Sequence, residues 1–299
     1  IVYPHIFIIH PSLKLFSETF YIQTFFYAHM KQLIALIKQK KELSSIDDAF
    51  VQKELDLYFT KHPKMKDLPF NPKSKNIKLL VKDIRSILRR VYGSFRDTID
   101  PTKRIALLET FLKEQNNENM NALLETHSST KERIAIYQTL YTKIFNITKP
   151  TTILDLGCGI NPLSSFYFPQ KVKYHTYDLS EHEISLLNTF FNKVTFVKGN
   201  AHILDLFDTN KIAQLPKADV AFLFKVTDVL DRNKGHKKTE EILTAIPAKY
   251  VILSFATKTL SGKKMTAPRR KWVEWLCRRL EYEYSILEFE NELFYVIEK

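Results

Sequence analysis

The sequence predicts an α/β fold: a doubly wound, mostly parallel sheet with an antiparallel last strand, preceded by an amino-terminal helical domain. Three patterns support this prediction. Short apolar runs alternate with amphipathic helical patterns from residue 151 onward, the first run breaks into glycines at Gly157, and the chain ends on a hairpin pattern around Asn291. Strands that alternate with helices form a parallel sheet with right-handed crossovers, and its ligand is expected at the carboxyl ends of the strands.

Seven segments have the apolar or alternating pattern of strands. They are Thr151–Asp155, Val172–Asp178, Val194–Lys198, Ala218–Lys225, Tyr250–Phe255, Tyr284–Glu290 and Leu293–Glu298. Helical patterns such as Glu181–Phe191 and Lys238–Ala245 lie between them. With 299 residues, the chain has room for one or two domains.

The turn after the first strand has the pattern Asp155-x-Gly157-x-Gly159, which uses two of only six glycines in the protein. Glycine is favoured where the backbone needs a positive φ or where another group approaches it closely. The turn lacks the third glycine of a dinucleotide fingerprint and the Lys-Ser/Thr of a P-loop. This form is typical of S-adenosylmethionine (SAM) sites, with an ordinary strand-to-helix turn as the alternative.

Two further polar residues follow predicted strands. Asp178 ends the second strand, 23 positions after Asp155, where a carboxylate can accept hydrogen bonds from ribose hydroxyls. The alternative role, capping the next helix, can be filled by Ser180. Asn200 follows the third predicted strand and is a candidate for adenine contact, although Gly199-Asn200 also suits a plain turn.

Residues 30–126 have a helical and basic pattern, and we interpret them as a docking domain for folded RNA. In the segment Asn76–Tyr92, an apolar stripe is formed by Ile84, Ile87, Leu88 and Val91. A cationic face predicted to contact phosphates comprises Lys82, Arg85 and Arg89, extended by Arg90 and Arg96. A merely solvated face is the alternative. We expect residues 1–29, which contain no methionine, to be a non-native leader ahead of Met30 or else an accessory element.

Composition favours a polyanionic partner and a reducing compartment. The formal net charge is +12, which attracts nucleic acid. The two cysteines, Cys158 and Cys277, have neither metal-site nor disulfide-framework spacing, and the nine histidines form no ligand cluster. No run of 18 apolar residues occurs. We therefore expect a cytoplasmic protein, most simply a monomer, without metal or membrane attachment.

Five blocks then occur in a characteristic order. They are His127–Arg133, Leu154–Leu163, Leu223–Lys225, Ser254–Gly262 and Asn291–Tyr295. Over residues 30–299 the chain resembles the aminoglycoside-resistance 16S rRNA (guanine-N7) methyltransferases, the Arm/Rmt group. It departs from them at Ala256, where proline is usual, at Ser164, where alanine is usual, and in its more basic segment Lys264–Lys271.

The resemblance implies a Rossmann-like methyltransferase domain over residues 127–299 that uses SAM. Its target would be a guanine N7 in the decoding-site helix of 16S-type rRNA, within the small ribosomal subunit. Because N7 has a free lone pair and no proton, the reaction would need no general base, and alignment would be the main contribution of the enzyme. Methylation of another rRNA position or of tRNA, and a non-catalytic role in ribosome assembly, are the alternatives.

Site residues follow from the motifs and from this resemblance. Cofactor contacts are expected from Arg133, which would pair with the SAM carboxylate, and from Asp155, Gly157, Gly159, Asn161, Asp178 and Asn200. For Arg133, a surface salt bridge with Glu132 or a neighbour is the alternative. Lys225 and Lys258 would position the target, and Lys263 and Lys264 would contact RNA from a loop after the fifth strand. Trp272 and Trp275 are interpreted as packing residues.

Overall fold

The computed structural model describes residues 29–66, 69–92, 101–231, 235–258 and 263–299. The expected leader lies outside the described residues, apart from residue 29. The chain divides into two compact units. The described residues up to 44, together with 48–89, form the first unit, and residues 45–47 with 90–299 form the second.

The first unit is helical. It contains helices α1 (residues 29–38) and α2 (Asp48–Lys61) and helix α3 (Lys75–Tyr92) up to residue 89, with short 3₁₀ turns at Lys41–Leu43 and Pro63–Met65. The predicted stripe of α3 forms part of the core of this unit, because Ile84 and Leu88 are fully buried. Apolar residues at spacings of three and four lie on one helix face and are removed from water together.

The second unit contains a seven-stranded sheet. Its strands are β1 (Thr152–Leu156), β2 (Lys173–Asp178), β3 (Lys198–Ile203), β4 (Ala218–Phe224), β5 (Ala248–Ala256), β6 (Glu283–Glu288) and β7 (Glu292–Glu298). Strand order is β3-β2-β1-β4-β5-β7-β6. Strands β1 to β5 are parallel, and β7 runs antiparallel between β5 and β6. The predicted fold class is confirmed.

Helices cover both faces of this sheet. They are α4 (Pro101–Lys113), α5 (Asn117–Leu124), α6 (Ser128–Arg133), α7 (Tyr137–Thr148), α8 (Glu181–Phe191), α9 (Thr209–Ala213), α10 (Thr227–Leu230), α11 (Lys237–Ala245) and α12 (Lys271–Arg279). Alternate strand residues point to opposite faces. Val220 and Phe222 therefore join the apolar cluster that includes α5, α7 and α8, whereas Ala221 and Leu223 join the cluster that includes α11 and α12.

Helices α4 and α5 belong to the second unit, whose main segment starts at residue 90, whereas the predicted domain boundary was 127. Leu108 and Phe111 of α4 and Leu123 of α5 are buried in the same cluster as Phe190 of α8. Their helical pattern resembles that of the preceding helices, so nothing in the linear pattern indicates which core they join.

The third strand is the main departure from the predicted elements. It runs over Lys198–Ile203 instead of 194–198, so Gly199 and Asn200 lie inside the strand and not in a turn after it. A Cβ atom at Gly199 would lie 2.3 Å from the Phe191 ring of α8. Gly199 is therefore required for close packing between strand and helix, and its presence does not mark a turn.

Candidate functional site

A cleft lies in the second unit at the carboxyl ends of β1, β2 and β4. Its empty volume is about 910 Å³, which includes space open to solvent. Its lining includes the glycine turn after β1, Asp178 at the end of β2 and Lys225 directly after β4. The position agrees with the expectation for a parallel sheet.

The glycine turn has the conformation that its residues suggested. Gly157 has φ = 70° and Gly159 has φ = 51°, values that favour glycine. The N–H groups of Gly157 and Cys158 both donate to the Tyr177 carbonyl of β2, at 2.8 and 3.1 Å. The turn is therefore bent back against the neighbouring strand. Backbone atoms of the two glycines, which have no side chain, line this part of the cleft. Burial raises the pKa of the Cys158 thiol well above its ordinary value, which fits a packing role.

Asp178 holds this turn in place. Its carboxylate accepts a hydrogen bond from the Gly159 N–H at 2.8 Å and another from the Ser180 N–H at 3.0 Å. Ser180 caps α8 by accepting from the Glu183 N–H at 3.3 Å. Asp178 thus orders the turn, and it also lines the cleft.

Asp155 presents a buried carboxylate to the cleft. Its Oδ2 accepts hydrogen bonds from Tyr174 at 2.6 Å and from the Asn161 amide at 2.9 Å, whereas its buried Oδ1 has no hydrogen-bond partner in the described residues. Burial raises the pKa of Asp155 to about 6, although the bonds from Tyr174 and Asn161 favour the charged form. A buried carboxylate oxygen without a partner is costly, so this atom suits a cationic donor from a ligand.

Asn161 supports Asp155 from behind. It is 2% exposed and does not line the cleft; its Oδ1 accepts from the Tyr137 hydroxyl at 3.1 Å while its Nδ2 donates to Asp155. The structure thus places Asn161 behind Asp155, and its expected direct contact with the cofactor stays a prediction. Only packing could reveal this, because Asn161 lies in the same motif as the residues that do line the cleft.

Asn200 is also misplaced in our sequence interpretation. It lies within β3, level with His175 of β2, and its side-chain oxygen is 2.9 Å from the His175 Nδ1. The cleft is instead lined by residues after the end of β3, among them Leu204, Asp205 and Phe207. The error follows from the misplaced third strand, because a shift of the strand end moves the residue that reaches the cleft.

Arg133 is almost completely buried, with 1% of its side chain exposed, and it pairs with Glu292. Its Nε and Nη2 donate to the two carboxylate oxygens of Glu292, both at 2.8 Å. Burial disfavours the charge of Arg133, but the Glu292 carboxylate outweighs this and raises the pKa of the guanidinium. Arg133 still lines the cleft, with its Cζ 4.9 Å from the centre of the Phe224 ring. The alternative of a surface pair with Glu132 is wrong, since the partner is a buried residue far along the chain.

Lys225 lies beside the same carboxylate. Its ammonium pairs with Glu132 and lies 3.4 Å from Glu292 Oε2. Its backbone is left-handed, with φ = 57°, an uncommon conformation for a lysine. Burial alone would raise the pKa of Glu292, but Arg133 and Lys225 hold it below its ordinary value. The cations Arg133 and Lys225 and the anions Glu132 and Glu292 therefore alternate beside the cleft. Sequence analysis did not single out Glu292, although it lies in the last of the five quoted blocks.

Residues after β5 lie at the same edge of the sheet. Lys258 pairs with Glu290 at 2.7 Å and forms an antiparallel bridge with Lys264. Lys263 and Lys264 are exposed. None of the three lines the cleft.

The predicted cationic face of α3 is only partly available. Lys82 is exposed, but the Arg85 guanidinium donates to the carbonyls of Leu36 and Ile37 in α1, at 2.5 and 3.1 Å. Arg89 pairs with Glu42 at 2.7 Å. The side chain of Arg90, and Arg96 as a whole, lie outside the described part of the chain.

The two tryptophans differ. Trp272 packs as expected, with its ring stacked on His236 at 3.8 Å. Trp275 is 58% exposed, so its interpretation as a packing residue is wrong. Within the described ranges, no group of three potential metal ligands occurs, and no helix has the length and apolar character to cross a membrane.

Comparison with known proteins identifies the family. The sequence profile described as "Ribosomal RNA methyltransferase (FmrO)" matches residues 83–296. The 16S rRNA (guanine(1405)-N(7))-methyltransferase of Proteus mirabilis is 27% identical over 235 residues, which cover 72% of this chain and 76% of the relative. The enzyme of the same name from Micromonospora echinospora is 26% identical over 230 residues, covering 73% and 82%.

Solved structures agree in fold. The 16S rRNA methyltransferase RmtF, in complex with S-adenosyl-L-homocysteine, has a TM-score of 0.72 with 21% identity and covers 91% of this chain and 98% of its own. The 16S rRNA methylase ArmA has a TM-score of 0.51 with 28% identity and covers 64% and 97%.

Proposed function

Because this chain belongs to the ribosomal RNA methyltransferase (FmrO) family, we propose that it methylates N7 of a guanine in 16S-type rRNA of the small ribosomal subunit, at the decoding-site helix, and that this modification confers aminoglycoside resistance. Relatives whose name specifies guanine N7 support the choice of atom. The single observation that carries the proposal is the cleft at the strand ends, where a glycine turn lies beside three carboxylates: Asp155, Asp178 and Asp205.

The lining fits S-adenosylmethionine. The partnerless Asp155 Oδ1 suits the α-ammonium group, and Asp178, which already orders the turn, has the acceptors that ribose hydroxyls need. Asp205 and the apolar side chains of Leu204 and Phe207 would surround the adenine. Arg133 would face the cofactor carboxylate while Glu292 fixes its orientation.

The cofactor supplies an electrophilic methyl group on a sulfonium centre. Because guanine N7 has a free lone pair and carries no proton, methyl transfer to it would break only the carbon–sulfur bond, and no side chain would have to accept a proton. The residues of the cleft hold the two reactants in line, and this alignment lowers the barrier. Lys225 would repel a sulfonium if it stood alone, but Glu132 and Glu292 compensate its charge. It can therefore help Lys258 to position the RNA without weakening cofactor binding.

Labelled-methyl transfer tests the proposal. Intact small subunits, naked 16S rRNA and bulk tRNA are offered side by side, and the modified base is located by chemical cleavage at N7-methylguanine. We expect label at one guanine of the small-subunit rRNA. Label on tRNA or on another atom would favour the other SAM-dependent RNA methyltransferases, and no label on any RNA would favour a non-catalytic RNA-binding protein.

The variant Asp178→Ala tests the cofactor site. Loss of charge-assisted hydrogen bonds is expected to weaken SAM binding by about 1.5–3 kcal/mol. Calorimetry that shows unchanged affinity would remove Asp178 from the site.

A further inference from the structure

Helix α12 has an exposed face that the cofactor cleft does not use. Val273, Leu276 and Cys277 are buried in the sheet cluster. The opposite side carries exposed side chains at helical spacing: Lys271, Trp275, Arg278 and Arg279. An aromatic ring is thus flanked by cations on one face of one helix.

Trp275 is held in a defined setting. The Arg279 guanidinium lies 4.9 Å from the centre of its ring and is itself paired with Glu240 at 2.5 Å. A paired cation therefore lies over the ring, and 58% of the residue remains exposed, which leaves surface for a planar partner. A solvent-exposed tryptophan leaves a large apolar area in water, which a stacked ring would remove.

The charge around this face selects the partner. Residues 263–279 contain seven Lys or Arg and a single acidic residue, Glu274. Glu274 is paired with Arg269 at 2.9 Å. A cationic surface that carries an exposed aromatic ring matches an RNA segment with an unpaired base, because phosphates and a base ring are available together. A protein partner would need an acidic surface to match the same charge.

The position of the helix agrees with this partner. Helix α12 starts after the loop that follows β5, and the Arg270 N–H at its start donates to the Tyr295 hydroxyl at 2.8 Å. Trp272 packs edge-on against Phe255 near the end of β5. The helix therefore begins at the strand ends where the cleft lies, and Trp275 follows Lys271 by about 6 Å along the axis.

We propose that the exposed face of α12 is an RNA-contact surface on which Trp275 stacks with an unpaired base of the rRNA, while Lys271 and Arg278 contact its phosphates. The inference rests on the proposed rRNA substrate. It adds a contact that holds the RNA beside the cleft and is separate from the cofactor residues.

Steady-state methylation of small subunits gives the first test. We expect Trp275→Ala to raise KM for the subunits about tenfold, the scale of a lost base stack, with kcat and S-adenosylhomocysteine affinity unchanged. Trp275→Phe should retain most of the affinity because it keeps an aromatic ring. Arg278→Gln should make the salt dependence of KM shallower by about one unit. Ile147→Ala, which truncates another exposed apolar side chain, is the control without effect.

Crosslinking identifies what touches the helix. The photoreactive residue p-benzoylphenylalanine at position 275 should crosslink to rRNA. Ribonuclease should then remove the mass that the crosslink adds to the enzyme, and a protease that digests ribosomal proteins should leave the crosslinked RNA in place. A crosslink to a ribosomal protein, or an unchanged KM for Trp275→Ala while the wild type methylates normally, would overturn this inference alone. A wild-type enzyme that labels no small subunits would instead refute the proposed function.

Discussion

At the residue scale, two aspartates of the cleft have different roles. Asp178 accepts hydrogen bonds from two backbone N–H groups and shapes the glycine turn. Asp155 is fully enclosed and keeps one oxygen without a partner. The burial that raises the pKa of Asp155 to about 6 also makes this carboxylate sensitive to a bound cation.

This sensitivity predicts a pH dependence of cofactor binding. The ligand-free site favours protonated Asp155 below about pH 6, whereas a bound ammonium group favours the ionised form. Binding below this pH must therefore release a proton, and affinity should rise with pH and level off above about pH 6. We expect S-adenosylhomocysteine to bind about tenfold more weakly at pH 5 than at pH 7.

Calorimetry at several pH values in buffers of different ionisation enthalpy measures both the affinity and the released proton. Asp155→Asn should bind more weakly and lose the rise near pH 6. A variant that keeps the same pH profile would show that another group is responsible.

At the scale of elements, the contact between β3 and α8 depends on a missing side chain. The Cβ atom of an alanine at position 199 would overlap the Phe191 ring, which lies 2.3 Å away. We expect Gly199→Ala to lower the free energy of unfolding by about 1–3 kcal/mol, the usual cost of overpacking. Thermal unfolding measures the loss. Adding Phe191→Leu should recover part of it, and no recovery would mean that the strain lies elsewhere.

The contact between α1 and α3 depends on an arginine that turned out not to face solvent. Arg85 satisfies carbonyls of Leu36 and Ile37, whereas Arg89 makes an exposed ion pair with Glu42. Arg85→Ala should therefore lower the free energy of unfolding by about 1–3 kcal/mol, because the part-buried carbonyls lose their donor. Arg89→Ala should cost less than about 1 kcal/mol, as exposed pairs do. Equal losses in chemical denaturation would contradict this ranking.

At the scale of the whole molecule, the net charge of +12 can attract RNA only through cationic side chains that are exposed. In the described part of α3, Lys75, Lys78 and Lys82 are exposed and share one face by their spacing, whereas Arg89 is exposed but paired with Glu42. The docking face expected from the sequence therefore keeps Lys82 and gains two lysines nearer the start of the helix.

The triple change of Lys75, Lys78 and Lys82 to alanine should leave S-adenosylhomocysteine affinity intact and raise KM for small subunits. The salt dependence of KM should become shallower by up to about three units, one for each lost phosphate contact. The modified guanine should stay the same, since phosphate contacts do not specify a base. The matched control removes the same charge at Lys171, Lys173 and Lys193, which are exposed near the amino ends of β2 and β3. An equal effect of the two triple variants would show that this face acts only through its contribution to the net charge.

The linear pattern determined the fold class, the strand alternation and the centre of the site. These features depend on local chemistry: a period of two along strands, a left-handed turn that glycine favours, and a carboxylate at a strand end. The confirmed parallel sheet and the positions of Gly157, Gly159 and Asp178 in the cleft follow from such short-range rules.

Tertiary structure alone decided which polar residues meet. Arg133 and Glu292 are 159 positions apart, and their pairing depends on β7 lying next to β5. Gly199 is a residue type typical of turns, but here it allows close packing, because the Phe191 ring of α8 lies against it. Trp275 and Trp272 have similar neighbours in the chain, yet only the position of α12 on the sheet leaves one ring in solvent. Long-range contacts of this kind leave no local period in a sequence, and the physical reason is that burial is a property of the assembled core.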